Sequence, residues 1–310
     1  MRTCAVVNPN SGSGRTGTIW PAIEVKLNRA IGTVEVAFTD GPMAAKHLTA
    51  RALQNGAEQI IAVGGDGTVN EVVNGFFRDD RPINDRAVLA LLVTGSGGDF
   101  RRTFRMPDDV DAQVERIAAG EARLIDLGKL TFIDHDGGES VRYFDNIASF
   151  GLSGAADMAF NRLRFAKKFG AKFAFLWATY TTVITYRNEP VRIQVDDRFD
   201  KVVNVNMAAV CNGQFFGGSM WIAPNAKPDD GLFDVIITHD LSTIDVFRGT
   251  KKLYKGKHMD EDNVTTLRGR KIVASPTREA KEVLLDVDGE APGRLPATFE
   301  ILPNAIFLRC

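Results

Sequence analysis

The chain contains 310 residues, of which 44% are hydrophobic and 25% are charged. This composition is ordinary for a globular protein, and the length allows two domains. A formal net charge of −1 argues against a nucleic-acid partner, because such proteins usually carry a strongly basic surface. The three cysteines, Cys4, Cys211 and Cys310, lack the spacing of a disulfide framework or a zinc site. Since no uncharged apolar stretch approaches the ~20 residues of a spanning helix, the sequence predicts a cytoplasmic protein.

Residues 1–123 alternate short apolar runs with helical patterns, which predicts a parallel sheet covered by helices on both faces. Ligands of such sheets bind beyond the carboxyl ends of the strands. We therefore expect the loops that follow the first four strands to form one site. The predicted strands are Ala5–Val7, Val34–Phe38, Ile60–Val63 and Val88–Val93, and the predicted helices are Ile19–Ala30, Ala44–Asn55, Val69–Phe77 and Val110–Ala119.

The loop after the third strand, Gly64–Thr68, places three glycines around Asp66. Glycines allow unusual backbone angles and leave N–H groups open to a phosphate at the N-terminus of the following helix. A carboxylate beside phosphates is reasonable where Mg²⁺ or its water shell lies between them. The loop therefore predicts a phosphate and Mg²⁺ site at Asp66, with a plain glycine turn capped by Asp66 or Thr68 as the alternative.

A second glycine-rich stretch, Gly12–Gly17, matches the Gly-x-Gly-x-x-Gly pattern of dinucleotide-binding folds. The match is loose because Asn8–Ser11 separate the first strand from the first glycine, and only Asp40 offers an acidic residue after the second strand. A P-loop fits less well, because no Gly-Lys-Ser/Thr follows. The loop after the fourth strand, Thr94–Asp99, adds more glycines and a second carboxylate to the same edge.

After residue 123 the pattern changes to strand-like runs separated by Gly, Asp and Asn turns, which predicts an antiparallel β-sandwich over residues 124–310. A helical insertion, Ala155–Tyr186, is rich in aromatic and basic residues. Two acidic turns, Asp229–Asp234 and Asp286–Glu290, are each compatible with plain hairpins. Glu290 directly follows a turn glycine, where a carboxylate is well placed to act as a general base. The predicted strands are Leu124–Phe132, Val141–Ile147, Val191–Val195, Val202–Cys211, Phe233–Thr238, Val264–Ile272, Val283–Asp288 and Thr298–Leu308.

The order of these motifs resembles that of the diacylglycerol kinase catalytic-domain superfamily, which includes soluble bacterial lipid kinases and the sphingosine and ceramide kinases. The resemblance implies an α/β nucleotide-binding domain like that of NAD kinases and phosphofructokinases, followed by an antiparallel β-sandwich lipid-binding domain. It leaves open whether the C-terminal residues pack back onto the first domain. The matching segments are Asn8–Gly12, Gly64–Glu71, Gly95–Phe100, Asp230–Gly231 and Asp288–Glu290.

The resemblance also implies roles for individual residues. Glu290 would be the general base that takes the proton of the lipid hydroxyl, and Asp66 would be the second catalytic carboxylate. A Mg²⁺ site would lie at Lys227, Asp230 and Leu232, with Asp99 and Asp126 joining through water. ATP contacts would come from Asn8, Pro9, Asn10, Ser11, Gly12, Thr39, Gly64, Gly65, Asp66, Gly67, Thr68, Val69, Asn70, Glu71, Thr94, Gly95 and Ser96.

The implied activity is the ATP- and Mg²⁺-dependent phosphorylation of a primary hydroxyl on a membrane lipid. Diacylglycerol is the first choice of acceptor, and ceramide or a sphingoid base is the second. The chain departs from the usual family loop, Gly-Thr-x-Asn-Asp-Phe, because Ser96 replaces the threonine and Gly98 replaces the asparagine. An NAD kinase or sugar-phosphate kinase with the same glycine turn is one alternative, and a lipid or nucleotide sensor without turnover is another.

A kinase whose acceptor lies in a bilayer must dock on that bilayer. The insertion 155–186 combines aromatic rings with Arg164, Lys167, Lys168 and Lys172, as an interfacial helix does. We therefore expect peripheral contact with the inner face of the membrane through this insertion, with packing inside the core as the alternative. A homodimer is an option that the sequence leaves open.

Overall fold

The computed structural model describes residues 1–95, 97–162 and 180–310. Ser96 and most of the predicted insertion 155–186 lie outside the described residues. The helices are α1 Arg15–Ile31, α2 Ala44–Gln54, α3 Asp66–Gly75, α4 Asp99–Thr103, α5 Val110–Ala119, α6 Leu152–Arg162 and α7 Thr243–Leu253. The strands are β1 Thr3–Val7, β2 Val34–Phe38, β3 Gln59–Gly64, β4 Phe77–Arg78, β5 Arg81–Pro82, β6 Val88–Val93, β7 Ala122–Asp134, β8 Glu139–Phe144, β9 Ile147–Gly151, β10 Glu189–Val195, β11 Phe199–Cys211, β12 Phe215–Phe216, β13 Met220–Trp221, β14 Phe233–His239, β15 Val264–Gly269, β16 Lys271–Pro276, β17 Leu285–Val287 and β18 Gly293–Arg309.

The first half of the chain forms the predicted parallel sheet. Strands β2, β1, β3 and β6 lie side by side in that order and are all parallel. Helices lie on both faces, because each strand must bury apolar side chains on two sides. The α/β class predicted from the sequence for this half is therefore confirmed.

The second half is an antiparallel array that continues from β18 through β16, β10, β11 and β14 to β15. Strands β9 and β17 pair with each other, and β9 also pairs with β11. A large buried cluster of this half includes Phe144, Phe150, Phe233 and Phe299, each at most 1% exposed. The aromatic and β-branched residues of the predicted sandwich strands thus form its core.

Strand β18 belongs to both halves. Its last residues, Phe307–Arg309, pair in parallel with Val88–Ala90 of β6, and most of its length pairs antiparallel with β7. Ile306 and Leu308 lie in the same buried cluster as residues of the first sheet and its helices. The C-terminal residues therefore complete the sheet that carries the glycine loops.

The structure differs from the predicted elements at two points that concern function. Helix α3 begins at Asp66 rather than at Val69, because the glycine turn is shorter than expected and its Asp66 already belongs to the helix. Helix α7 was not predicted from the sequence, although Ser242 and Asp245 form a capping box at its start. Within the described ranges, no helix has the length and apolar character needed to cross a membrane.

Candidate active site

Three glycine-rich loops meet beyond the carboxyl ends of β1, β3 and β6. A methyl group added at Gly95 would lie 2.8 Å from the Cα atom of Gly65 and 3.0 Å from the Oγ atom of Ser11. The hydroxyls of Thr16 and Thr94 also share a buried hydrogen bond of 2.6 Å. The loops approach so closely that only a residue without a side chain fits at Gly95.

The N-terminus of α3 faces this meeting point. Gly65 precedes the helix with an extended backbone, and no side chain caps the first turn. Asn8 donates a hydrogen bond of 3.1 Å from Nδ2 to Oγ1 of Thr68, which ties the first loop to the third. Unused backbone N–H groups and the helix dipole make this position suitable for a phosphate.

Asp66 holds the neighbouring loop in place. Its Oδ2 accepts hydrogen bonds from the backbone N–H groups of Gly98 at 2.6 Å and Asp99 at 3.1 Å. Its Oδ1 is buried and has no hydrogen-bond partner among the described residues. Burial raises the pKa of the Asp66 carboxyl, and the nearby Asp99 carboxylate raises it further, against the lowering effect of the two N–H donors. The sequence predicts a metal-linked role for Asp66 or a cap of its own turn, whereas its carboxylate binds the backbone of the separate loop at Gly98 and Asp99.

Gly98 has a left-handed backbone, with φ 96° and ψ 36°, at the position before α4. Glycine adopts this conformation without strain, and asparagine is among the few other residues that tolerate it. The replacement of the usual asparagine by glycine therefore preserves the backbone of the loop. Asp99 then begins α4 and accepts hydrogen bonds from Arg102 and from the backbone of Gly218 and Ser219.

Glu290, predicted to be the general base, lies beside the glycine turn. Its Oε1 is 3.8 Å from the position that a Cβ atom would take at Gly67. Its Oε2 accepts a hydrogen bond of 2.6 Å from Nη2 of Arg142. The side chain of Glu290 is 42% exposed, whereas that of Arg142 is 11% exposed. A largely buried guanidinium thus fixes a carboxylate that remains open to solvent on its other side.

Asn70 connects α3 to this carboxylate and is completely buried. Its Oδ1 accepts hydrogen bonds from Nε and Nη2 of Arg142 at 3.0 and 2.8 Å. Its Nδ2 donates to the Asp288 carboxylate at 2.7 Å and to the backbone carbonyl of Tyr143 at 3.0 Å. We expected Asn70 to contact ATP, but its side chain is committed to positioning Arg142 and the turn that carries Glu290.

Two pairs of buried carboxyl groups pack against the turn that carries Glu290, and Asp145 with Asp288 is the first pair. Asp288 accepts hydrogen bonds from the backbone N–H groups of Asp145 and Ile147, and burial raises its pKa to about 6. Burial and the nearby Asp288 carboxylate raise the pKa of Asp145 well above its usual range. Nothing in the sequence identified Asp145, because it falls inside the predicted strand Val141–Ile147, which the structure divides into β8 and β9 on either side of Asp145.

Asp157 of α6 and Asp286 of β17 form the second pair. Burial first, and then the Asp286 carboxylate, raise the pKa of Asp157 to about 9, so Asp157 is protonated at neutral pH. Asp286 accepts hydrogen bonds from the hydroxyl of Ser149 and the backbone N–H of Gly289. This pair therefore supports the Gly289–Glu290 turn from below. Sequence reasoning missed Asp157, which lies in a helical pattern without motif character.

Other predicted nucleotide contacts are less close to the turn. Both carboxylate oxygens of Glu71 accept hydrogen bonds from the first residues around α2, from Met43 at 2.9 Å and from Ala45 at 3.0 Å. Glu71 thus stabilises the start of α2 and faces away from the loops. Thr39 is buried at the end of β2, where its N–H bonds to the carbonyl of Val7.

The predicted metal residues fall into two separate places. Asp126 is buried, and its two oxygens accept backbone N–H groups of Gly231 at 2.7 Å and Asn304 at 2.8 Å. It therefore holds the loop of Lys227, Asp230 and Leu232. In the part of the chain that the structure describes, Asp99 bonds to Arg102, Gly218 and Ser219 and not to this loop. Within the described ranges, no three His, Cys, Asp or Glu side chains are grouped closely enough to hold a metal ion on their own.

The chain matches two family models in succession. Residues 2–130 match the diacylglycerol kinase catalytic domain, and residues 146–310 match the YegS C-terminal NAD kinase beta sandwich-like domain. The second match alone covers more than half of the chain. The chain belongs to the diacylglycerol kinase catalytic-domain superfamily. The resemblance inferred from the sequence motifs is confirmed, and the protein is a kinase of this family.

Similar proteins match this chain over nearly its whole length. The diacylglycerol kinase of Mycobacterium tuberculosis is 27% identical over 307 residues, which is 98% of this chain and 94% of the relative. A crystal structure of a Bacillus anthracis protein described as a diacylglycerol kinase has a TM-score of 0.75 at 24% identity and covers 99% of this chain and 96% of its own. Yeast NADH kinase shares the fold, with a TM-score of 0.54 at 11% identity over 99% of this chain and 83% of its own.

Proposed function

We propose that this kinase transfers the γ-phosphoryl group of ATP to a primary hydroxyl of a membrane lipid, with Mg²⁺ and with diacylglycerol as the first candidate acceptor. The observation that carries the proposal is the position of Glu290 beside Gly67 at the N-terminus of α3. One surface then offers backbone donors for phosphates and a fixed carboxylate for a hydroxyl proton. Family membership and the similarity to diacylglycerol kinases favour a lipid as the acceptor.

Each group of residues has a defined task in this proposal. The N–H groups of Gly65–Thr68 and the N-terminus of α3 bind phosphate oxygens. Negative charge accumulates on these oxygens during phosphoryl transfer. Glu290 accepts the proton of the acceptor hydroxyl, a contribution of ~10²–10⁴-fold. Arg142 holds one oxygen of Glu290, so the other is directed at the acceptor. Asn70 and Asp288 hold that arrangement in place.

The loop of Lys227, Asp230 and Leu232 has the donor chemistry of a magnesium site. Magnesium prefers carboxylate, carbonyl and water oxygens, and the carboxylate of Asp230 lies near that of Asp126 here. Burial raises the pKa of Asp126, and the nearby Asp230 carboxylate raises it further, a repulsion that a bound cation would relieve. Bound Mg²⁺ would supply charge neutralisation. The chain itself holds the loop through Asp126 and Gly231.

The acceptor is tested directly by phosphate transfer from γ-labelled ATP. Diacylglycerol, ceramide and sphingosine are presented in mixed micelles, and NAD is offered in solution under the same conditions. We expect label in phosphatidic acid, and no label without added Mg²⁺. Label in NADP alone would overturn the proposal in favour of the NAD kinase alternative. Stoichiometric ATP binding without transfer to any acceptor would favour the sensor alternative.

A further inference from the structure

Helix α7 carries an exposed face that no other part of the described chain covers. None of its residues is fully buried, and only Leu253 packs against a hydrophobic cluster. Ile244 and Phe247 are 61% and 45% exposed, and Tyr254, directly after the helix, is 49% exposed. Phe247 follows Ile244 by three residues, and Tyr254 follows Phe247 by seven, so the three side chains lie in one row along the helix. We call this row, with the bases beside it, the α7 face.

The apolar row extends onto a second helical segment. The rings of Phe247 and Tyr180 lie 5.6 Å apart. Tyr180 and Ile184 are also half exposed, and a spacing of four residues puts them on the same side of the helical segment 180–185. The exposed patch is therefore built from two elements that are distant in sequence, and the second is the described C-terminal end of the insertion 155–186, for which the sequence predicts membrane contact.

Basic side chains border this patch. Residues 243–257 contain five bases and one acid, and the acid, Asp245, is used in the helix cap. Within residues 1–95, 97–162 and 180–310, Lys252 forms an ion pair with Glu261 from the acidic run 260–262, but the other four bases form none. Those four are Arg248, Lys251, Lys255 and Lys257, all exposed.

We propose that the α7 face docks on the anionic surface of a lipid bilayer, with Ile244, Phe247 and Tyr254 entering the headgroup layer and the four bases contacting lipid phosphates. Exposed apolar residues interleaved with uncompensated bases are the features that favour an anionic interface. A second protein copy would be met by the same positive charges, which repel each other. The inference rests on the proposed function, because an acceptor held in a bilayer is what makes docking necessary.

Binding is measured by co-sedimentation with vesicles of equal parts phosphatidylglycerol and phosphatidylcholine, without nucleotide or diacylglycerol. Changing Arg248, Lys251, Lys255 and Lys257 to Gln should weaken binding at least ~10-fold, because each base near an anionic surface strengthens binding severalfold. The matched control removes the same charge from four exposed bases elsewhere, Arg29, Arg51, Arg86 and Lys281. Binding that is unchanged in the first variant, or equally weakened in the control, would overturn the proposal.

The apolar contribution is measured separately. Ile244→Ser with Phe247→Ser should weaken binding at least ~5-fold through lost apolar burial. Val25→Ser with Val202→Ser, at positions that are 59% and 60% exposed, should leave binding unchanged. Far-ultraviolet circular dichroism and melting temperature establish that all variants fold. Unchanged vesicle binding of the double variant Ile244→Ser with Phe247→Ser would overturn the proposal. So would sedimentation velocity that shows a homodimer of the wild type and a monomer of this double variant.

Kinase assays distinguish a failure of this inference from a failure of the proposed function. The α7 variants should raise the apparent KM for long-chain diacylglycerol in vesicles and leave turnover of a short-chain, dissolved diacylglycerol unchanged. If wild-type protein phosphorylates no lipid but binds anionic vesicles through α7, the proposed function fails and the docking surface stands. If the wild-type protein phosphorylates lipid and the α7 variants bind vesicles normally, the proposed function stands and the docking surface fails.

Discussion

The side-chain amide of Asn70 donates a 2.7 Å hydrogen bond to the carboxylate of Asp288, 218 residues further along the chain. Asn70 lies on the helix that follows the glycine turn, and Asp288 lies two residues before Glu290. The bond therefore joins the proposed phosphate site to the turn that carries the proposed base. Any shift of one element relative to the other must break it.

We expect Asn70→Ala to lower the free energy of unfolding by more than ~2 kcal/mol, because buried polar groups left without partners cost about 1–3 kcal/mol each. Turnover of the folded fraction should also fall, since Arg142 and Asp288 both lose a partner. Asn74→Ala is the matched variant. Asn74 bonds to the backbone of Tyr143 and to Asn70, but not to Arg142 or Asp288. Urea unfolding and kcat, measured together, should show stability loss in both and a larger kcat loss for Asn70.

Glu290→Gln should lower kcat by ~10²-fold or more with little change in the KM for ATP, because the amide cannot accept the hydroxyl proton. The geometry around Arg142 is preserved in this variant, since the amide oxygen still accepts from the guanidinium. Steady-state kinetics over a range of ATP and lipid concentrations measures both constants. An equal loss of ATP affinity would assign Glu290 to the nucleotide instead.

Asp66 allows a charge effect to be separated from a structural one. Asp66→Asn keeps an oxygen for the N–H of Gly98, so the melting temperature should stay close to that of the wild type while turnover is lost with the charge. Asp66→Ala should lose turnover as well, and its free energy of unfolding should fall by about 1–3 kcal/mol because two loop N–H groups lose their acceptor. Wild-type turnover in Asp66→Asn would restrict Asp66 to holding the loop.

The buried pair of Asp157 and Asp286 should make stability fall as the pH rises from about 4 to about 9. The pKa of Asp157 rises from 3.8 to about 9 on folding, so the native state holds a proton that the unfolded chain has released. The stabilisation is complete below pH ~4 and is lost as the pH rises through 9, with a slope of at most ~1.4 kcal/mol per pH unit. Asp157→Asn cannot ionise, so its urea unfolding curves at pH 6, 7.5 and 9 should change less. Parallel pH profiles would show that Asp157 is already ionised at neutral pH.

The magnesium loop is accessible to a measurement that needs no catalysis. MgCl₂ should raise the melting temperature of the wild type, because a ligand that binds only the native state stabilises it. Asp230→Asn should abolish this increase. Asp229→Asn is the matched control, since Asp229 neighbours Asp230 but pairs with Arg123 instead of Arg268. Equal Mg²⁺ responses in all three proteins would place the cation elsewhere.

Local patterns in the sequence predicted the scaffold of the site. The apolar runs before Gly64 and Thr94 became adjacent parallel strands, because periodicity and glycine turns are properties of short segments. The place of Glu290 directly after a turn glycine is a local feature of the same kind, and its role as a base stays a prediction. Each of these features depends only on its neighbours in the chain.

The supports of the site could not be predicted in this way. Arg142 lies on β8, where a base alternating with apolar residues normally faces solvent, yet it is buried against Asn70 and Glu290. Asp145 and Asp157 acquire their roles only when β17 brings Asp288 and Asp286 against them. Such partners come together through tertiary packing across 72 to 148 residues, and a single sequence carries no pattern for them.

Strand β18 has a consequence for how the protein is made. The strand that flanks β6 is supplied by Phe307–Arg309, so during synthesis β6 leaves the ribosome long before its neighbour exists. At 5–20 residues per second, that interval is on the order of 10–40 s. Throughout it, the nascent nucleotide-binding half presents an unpaired parallel edge to other chains, the kind of edge that promotes aggregation. The half that is translated first is therefore the last to be finished.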